Sequence, residues 1–195
     1  MQQESLKNRT VKGVGWSAAD ALLGQGVMFL VGLILARLLS PEEYGLIGIC
    51  LIFTTVLNGI VESGFSNALI RKKTVSDEDY NTMFLTNLAI SIVLYLLLFA
   101  TAPFVADFFH RQELTALVRV TGLVLFCNAL SITQVTILTK RIDFKTKTKA
   151  SLFSAVISGV VGIVMAFGGF GVWALVAQQL ARQFFYTAGL WMLNH

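Results

Sequence analysis

The chain has 195 residues, of which 13% are charged and 55% hydrophobic, with a mean hydropathy of +0.72 and a net charge of +4. Soluble domains carry roughly 25% charged residues, so a water-soluble fold is excluded; with 2 Pro and 2 Cys, so are a low-complexity disordered chain and a disulfide scaffold. The basic excess sits in short loops, which excludes a nucleic-acid partner and leaves an all-α polytopic membrane protein with the lipid bilayer as its solvent.

A helix needs about 20 apolar residues to cross a hydrocarbon core of roughly 30 Å. The sequence offers six such stretches, about 13–39, 41–70, 80–104, 114–138, 150–167 and 172–193, which predict one six-helix bundle over 1–195. The first is broken only by Asp20, Gln25 and Arg37 and exceeds the apolar core of a signal peptide, so it reads as an uncleaved span. Ser40-Pro41-Glu42-Glu43 then puts Ser at the N-cap, Pro at the first helical position and Glu at N3, a capping box that predicts a tight hairpin between the first two spans. Arg71-Lys72-Lys73 closes the second span, and Ser76-Asp77-Glu78-Asp79 repeats the cap before the third, which has Pro103 near its end. A short polar loop from Asp107 to Glu113 leads to the fourth span. A basic segment from Thr139 to Lys149 leads to the fifth, and the uncharged turn Gly168-Gly169-Phe170-Gly171 to the sixth.

Of the 15 Lys and Arg, 11 fall in the N-terminal segment, the 71–73 run and the 140–149 segment. The positive-inside rule therefore predicts that both termini are cytoplasmic. Arg37, Arg111 and Arg119 fall on the opposite side, with Arg37 and Arg119 expected to snorkel from span ends. Cys50 and Cys127 lie inside spans as buried thiols.

Polar side chains are costly in hydrocarbon, so those inside the spans carry information. The first span aligns Gly13, Ser17, Asp20 and Gly24; the second Gly48, Thr55, Asn58, Gly59 and Glu62; the fourth Thr121, Asn128 and Ser131. The fifth stacks Ser154, Ser158, Gly162 and Ala166, and the sixth offers Gln178, Gln179, Arg182 and Tyr186. Small-residue stripes read first as helix packing. Intramembrane charges read first as function: at 1.5 Å per residue Asp20 lies about 10 Å and Glu62 about 12 Å from the cytoplasmic end of their spans, and Arg182 roughly 16 Å into its own. Asp20 and Glu62 are the candidates for ion coupling, and Arg182, Gln178, Gln179 and Asn58 for substrate binding. There is no H-E-x-x-H, G-x-S-x-G or Walker A motif, so neither an enzyme nor a cofactor nor a metal is expected.

Several runs then resemble one family in order and spacing: Val11-Lys12-Gly13-Val14-Gly15-Trp16-Ser17; Ala36-Arg37-Leu38-Leu39-Ser40-Pro41-Glu42-Glu43-Tyr44-Gly45-Leu46; Glu62-Ser63-Gly64-Phe65-Ser66-Asn67-Ala68-Leu69-Ile70-Arg71; Lys140-Arg141-Ile142-Asp143-Phe144-Lys145; and Gly169-Phe170-Gly171-Val172-Trp173-Ala174-Leu175-Val176. The chain resembles the amino-terminal lobe of bacterial polysaccharide biosynthesis proteins, the oligosaccharide-lipid flippases of the multidrug/oligosaccharidyl-lipid/polysaccharide exporter superfamily, closest to the lipopolysaccharide and colanic-acid type. The resemblance implies alternating-access export of an undecaprenyl-diphosphate-linked oligosaccharide across the bacterial inner membrane by two lobes of six helices. A second lobe or a second copy would complete the cavity, and a polysaccharide polymerase and glycosyltransferases would be its partners. Arginines that lipid II flippases carry in the first two helices are replaced here by Asp20 and Glu62. The alternatives are a small-molecule antiporter of the same superfamily and an inactive half that only binds other membrane components.

Overall fold

The computed structural model describes residues 15, 16, 18, 20–62 and 76–193, and among them all regular structure is helical. A π-helical turn, Asp20–Gly24, leads into α1 (Gln25–Leu38). There follow α2 (Pro41–Glu62), α3 (Asp77–Phe108), α4 (Glu113–Thr121), α5 (Val124–Lys140), α6 (Phe144–Phe167) and α7 (Val172–Leu193). The predicted continuation of the second span to 70, the Arg71-Lys72-Lys73 run, and Gly13 and Ser17 of the first stripe lie outside the described residues.

Both capping boxes form. The Ser40 amide donates to Glu43 Oε2 (2.7 Å) and the Glu43 amide to Ser40 Oγ (3.3 Å); Ser76 and Asp79 exchange the same pair of bonds. Three helix ends share another device, a residue in the left-handed region followed by an amide that reaches back five residues. His110 (φ 56°), Ile142 (φ 56°) and Gly169 (φ 76°) take that place, with Arg111 N–H donating to Ala106 O, Asp143 N–H to Leu138 O and Phe170 N–H to Met165 O. The connection expected as a basic loop over 139–149 is thereby reduced to Arg141–Asp143: Asp143 caps α6 through the Thr146 amide (3.2 Å) and hydroxyl (2.8 Å), so Lys145, Lys147 and Lys149 lie on a helix.

Among the described residues five stretches are long and apolar enough to cross a membrane, α4 and α5 together making one of them. The sequence reading expected six. The sixth stretch is present as the 22-residue α7, but Gln178, Gln179, Arg182 and Gln183 dilute its apolar character. α7 touches four other helices, α2, α4, α5 and α6, and so has less need of a lipid-compatible surface.

The first two spans meet where Tyr44 Oη donates to the Gly32 carbonyl (3.4 Å), but the tight hairpin does not extend along the two helices. The connection is short, but α1 lies against α6, where Val31 fits over Gly159, rather than along α2. The α2 helix instead meets α3, α4, α5 and α7. The Ser154, Ser158, Gly162 and Ala166 stripe is buried, as its small side chains suggest, and faces the interior of the bundle.

Arg119, half-buried, makes a contact with the backbone of α3. Pro103 has no N–H to offer the Phe99 carbonyl one turn back, and Arg119 Nε donates to that carbonyl (3.4 Å) while its guanidinium lies 4.0 Å from the centre of the Phe99 ring. The charge is thus used to satisfy a backbone group that proline leaves open, and Arg119→Leu is expected to lose about 1–3 kcal/mol of stability, measurable as a lower unfolding midpoint in detergent. Gly171→Ala should act at the α6–α7 turn: the site has φ 56°, and an added Cβ collides with Glu43 Oε1, whose carboxylate holds the α2 cap. A loss of about 1–2 kcal/mol is expected, while Gly26→Ala, which lies in α1 and meets nothing, does not lower the midpoint.

Candidate functional site

The α7 residues Gln179, Arg182, Gln183 and Tyr186 are spaced i, i+3, i+4 and i+7, which brings them to one face of the helix. That face borders a cavity of about 330 Å³, completed by Asn58 of α2, Val124 of α5 and Ser151 and Ser154 of α6. Arg182 is half-buried there, and among the described residues it has no carboxylate partner. Gln179 Oε1 is buried and accepts no hydrogen bond. A guanidinium with unspent donors beside amides and hydroxyls suits an anionic or polyhydroxylated group.

A hydrogen-bonded chain flanks the cavity. Asn128 Nδ2 donates to Asn58 Oδ1 (2.9 Å) and to Glu62 Oε1 (3.0 Å), which ties α5 to the last turn of α2. Ser131 Oγ donates to the Asn128 carbonyl (2.9 Å) and accepts from Gln183 Nε2 (3.4 Å), which carries the chain to α7. Farther along the same seam Thr187 Oγ1 donates to the Cys127 carbonyl (2.9 Å) and Trp191 Nε1 to the Leu130 carbonyl (3.1 Å). Glu62 is exposed and does not line the cavity, and among the described residues it is held by a neutral amide rather than by a cation.

Of the sequence candidates, Asn58, Gln179 and Arg182 meet at this cavity, and Glu62 joins them through Asn128. Gln178 does not: it is 8% exposed and packs in the α6–α7 seam, where a Cβ at Gly162 would stand 3.0 Å from its own. The backbone of Asp20 opens the π-helical turn, which touches α6, and its side chain lies outside the described residues. Ser151 and Gln183 were not singled out in the sequence. The i, i+4 relation to Gln179 could have marked Gln183, whereas Ser151 enters only because α6 meets α7. Among the described residues no three His, Cys, Asp or Glu side chains converge to hold a metal ion, and Cys50 and Cys127 are free thiols.

The family described as Polysaccharide biosynthesis protein matches residues 34–195. The succinoglycan biosynthesis transport protein ExoT of Rhizobium meliloti (strain 1021) is 29% identical over 183 residues, which is 94% of this chain and 37% of that protein. The teichuronic acid biosynthesis protein TuaB of Bacillus subtilis (strain 168) is 24% identical over 92% of this chain and 37% of its own length. For the lipopolysaccharide biosynthesis protein WzxC of Escherichia coli (strain K12) the identity is 24% over 61% of this chain and 24% of that protein. The chain thus spans between about a quarter and little more than a third of the length of the curated relatives it matches. No solved structure matches.

The double role of Asn128 is open to test. Asn128→Ala removes the shared donor and should cost about 1–3 kcal/mol. Asn128→Asp should cost more at neutral pH, because a second carboxylate then stands beside Glu62. Unfolding in graded denaturing detergent should rank wild type above the Ala variant and the Ala variant above the Asp variant.

Proposed function

Since this chain belongs to the polysaccharide biosynthesis protein family, we propose that it forms one lobe of a carrier that flips an undecaprenyl-diphosphate-linked oligosaccharide across the bacterial inner membrane. The observation that carries this reading is the α7 cleft: a guanidinium with no carboxylate partner among the described residues, ringed by amides and hydroxyls, inside a bundle whose outer surface is apolar. Arg182 meets the diphosphate as a multiple donor. Asn58, Gln179, Ser151 and Gln183 offer hydrogen bonds to sugar hydroxyls, and the isoprenoid tail stays in lipid. Gln178 acts from behind, by holding α7 against α6.

In this reading α7 is the sixth crossing, shielded from lipid by its neighbours, and both termini are cytoplasmic. A second lobe or second copy covers the open side of the cleft, and alternating access exposes it first to one leaflet and then to the other. Glu62 and Asp20 exchange a proton or a sodium ion to give the cycle a direction. The Asn128 bridge supports such a role for Glu62, because it joins the carboxylate to the helices that border the cleft. A polymerase and glycosyltransferases on either side of the membrane supply and consume the cargo.

The test is flipping of a fluorescent lipid-linked oligosaccharide by the complete protein in proteoliposomes. Arg182→Ala should slow it by about 10- to 100-fold, the range set by one charge-assisted contact of 1.5–3 kcal/mol, and Arg182→Lys should retain part of the rate. Glu62→Gln and Asp20→Asn should abolish the response to imposed pH or sodium gradients. Unchanged flipping in Arg182→Ala would remove the cleft from the transport path.

A further inference from the structure

The α6–α7 contact is the most extensive between any two helices described, and the polar cleft occupies only one side of it. Its closest approach near the start of α6 is between small residues: Ala150 is fully buried, and a Cβ at Gly189 would stand 3.2 Å from the Ala150 Cβ. Because neither residue has bulk to fill the seam, a groove of about 320 Å³ opens along it, lined by Lys149, Ala150, Phe153, Gly189, Met192 and Leu193. At 100° per residue, Lys149 and Phe153 lie about 100–160° round α6 from Ser151 and Ser154, so groove and cleft are on different faces of that helix.

The groove walls are apolar and open to the surroundings: Phe153 is 56% exposed and Met192 78%. Lys149 is the single charged residue in the lining, and it is exposed. Lys145, one turn nearer the helix start on the same face, is also exposed, with its ammonium 5.9 Å from the centre of the Trp16 ring. An apolar trough with cations at one end has the chemistry of a lipid that carries a net negative headgroup: the trough takes an acyl chain, and the ammonium takes the phosphate.

We propose that this groove is a binding site for an anionic phospholipid, with its phosphate against Lys149 and an acyl chain laid along Phe153 and Met192. An apolar trough alone would take phosphatidylcholine and phosphatidylglycerol equally. The lysine discriminates, because the choline headgroup balances its own phosphate and the glycerol headgroup does not. The site is independent of the transport reading, since it shares no lining residue with the cleft.

The experiment is native mass spectrometry of the purified full chain from micelles doped with phosphatidylglycerol or phosphatidylcholine, with elution on gel filtration as the check of folding. Wild type should retain phosphatidylglycerol over phosphatidylcholine by roughly fivefold, the advantage expected of one lysine near a lipid surface. Lys149→Glu should abolish that preference, and Met192→Ser should weaken retention of both lipids alike. Arg141→Glu, which makes the same change in net charge at an exposed site outside the groove, should leave the preference intact. Equal retention of the two lipids by wild type, an equal loss in Arg141→Glu, or a dimer that covers the groove and excludes both lipids would each overturn the proposal.

Discussion

Hydrocarbon offers no hydrogen bonds, so every polar group in a membrane-embedded helix must find its partner inside the protein. That constraint orders most of the bundle, with the buried Asn87 amide, the Thr133 hydroxyl and Gln179 Oε1 as exceptions among the described residues. Phe104, Phe167 and Met192 are more than 70% exposed, while Thr121 and Ser158 are completely buried. The buried hydroxyls of Thr54, Thr121, Thr136 and Ser158 donate to carbonyls of their own helices three or four residues back, which lets a polar residue lie in a seam at little cost. The arrangement is the reverse of a soluble protein's surface, and it follows from the solvent rather than from any single contact. Apolar side chains gain little by leaving lipid, so close approach of small residues and hydrogen bonds between helices supply much of the association.

The same constraint explains why the charges within the helices are informative. Arg119 is held by a carbonyl that Pro103 leaves without its amide, so its charge has a structural use. Between the α3–α4 connection and the first turn of α2, Arg111 and Glu42 pair at 3.2 Å, but with their side chains 50% and 75% exposed the pair contributes about 0–1 kcal/mol. Arg182 has neither kind of partner among the described residues and faces a cavity instead. Among the described residues, the contrast between a guanidinium already occupied and one still free is what marks Arg182 as a candidate where the residue type alone does not.

α7 has to serve two environments. One side closes against α6 through Gln178 and Gly162, and the other presents Gln179, Arg182, Gln183 and Tyr186 to the cleft. A helix with lipid on most of its surface could not carry this many polar side chains. Its neighbours α2, α4, α5 and α6 make it possible, and they also make α7 less apolar than the five stretches that meet the length and composition of a membrane crossing.

The features that the sequence by itself determined are those whose physics spans a few residues. Ser40 and Glu43, or Ser76 and Asp79, need only a turn of helix to satisfy each other, and Gly169 and Gly171 need only their own freedom at positive φ. The buried stripe from Ser154 to Ala166 was legible because helical periodicity alone lines it up. Tertiary structure decided which helices meet: α1 on α6 rather than on α2, Gln178 in a seam rather than in the cleft, and Asn128 between Asn58 and Glu62, 70 and 66 residues away. Those outcomes depend on which surfaces fit at close range, a competition among all the helices at once, and no local pattern in the chain encodes its result.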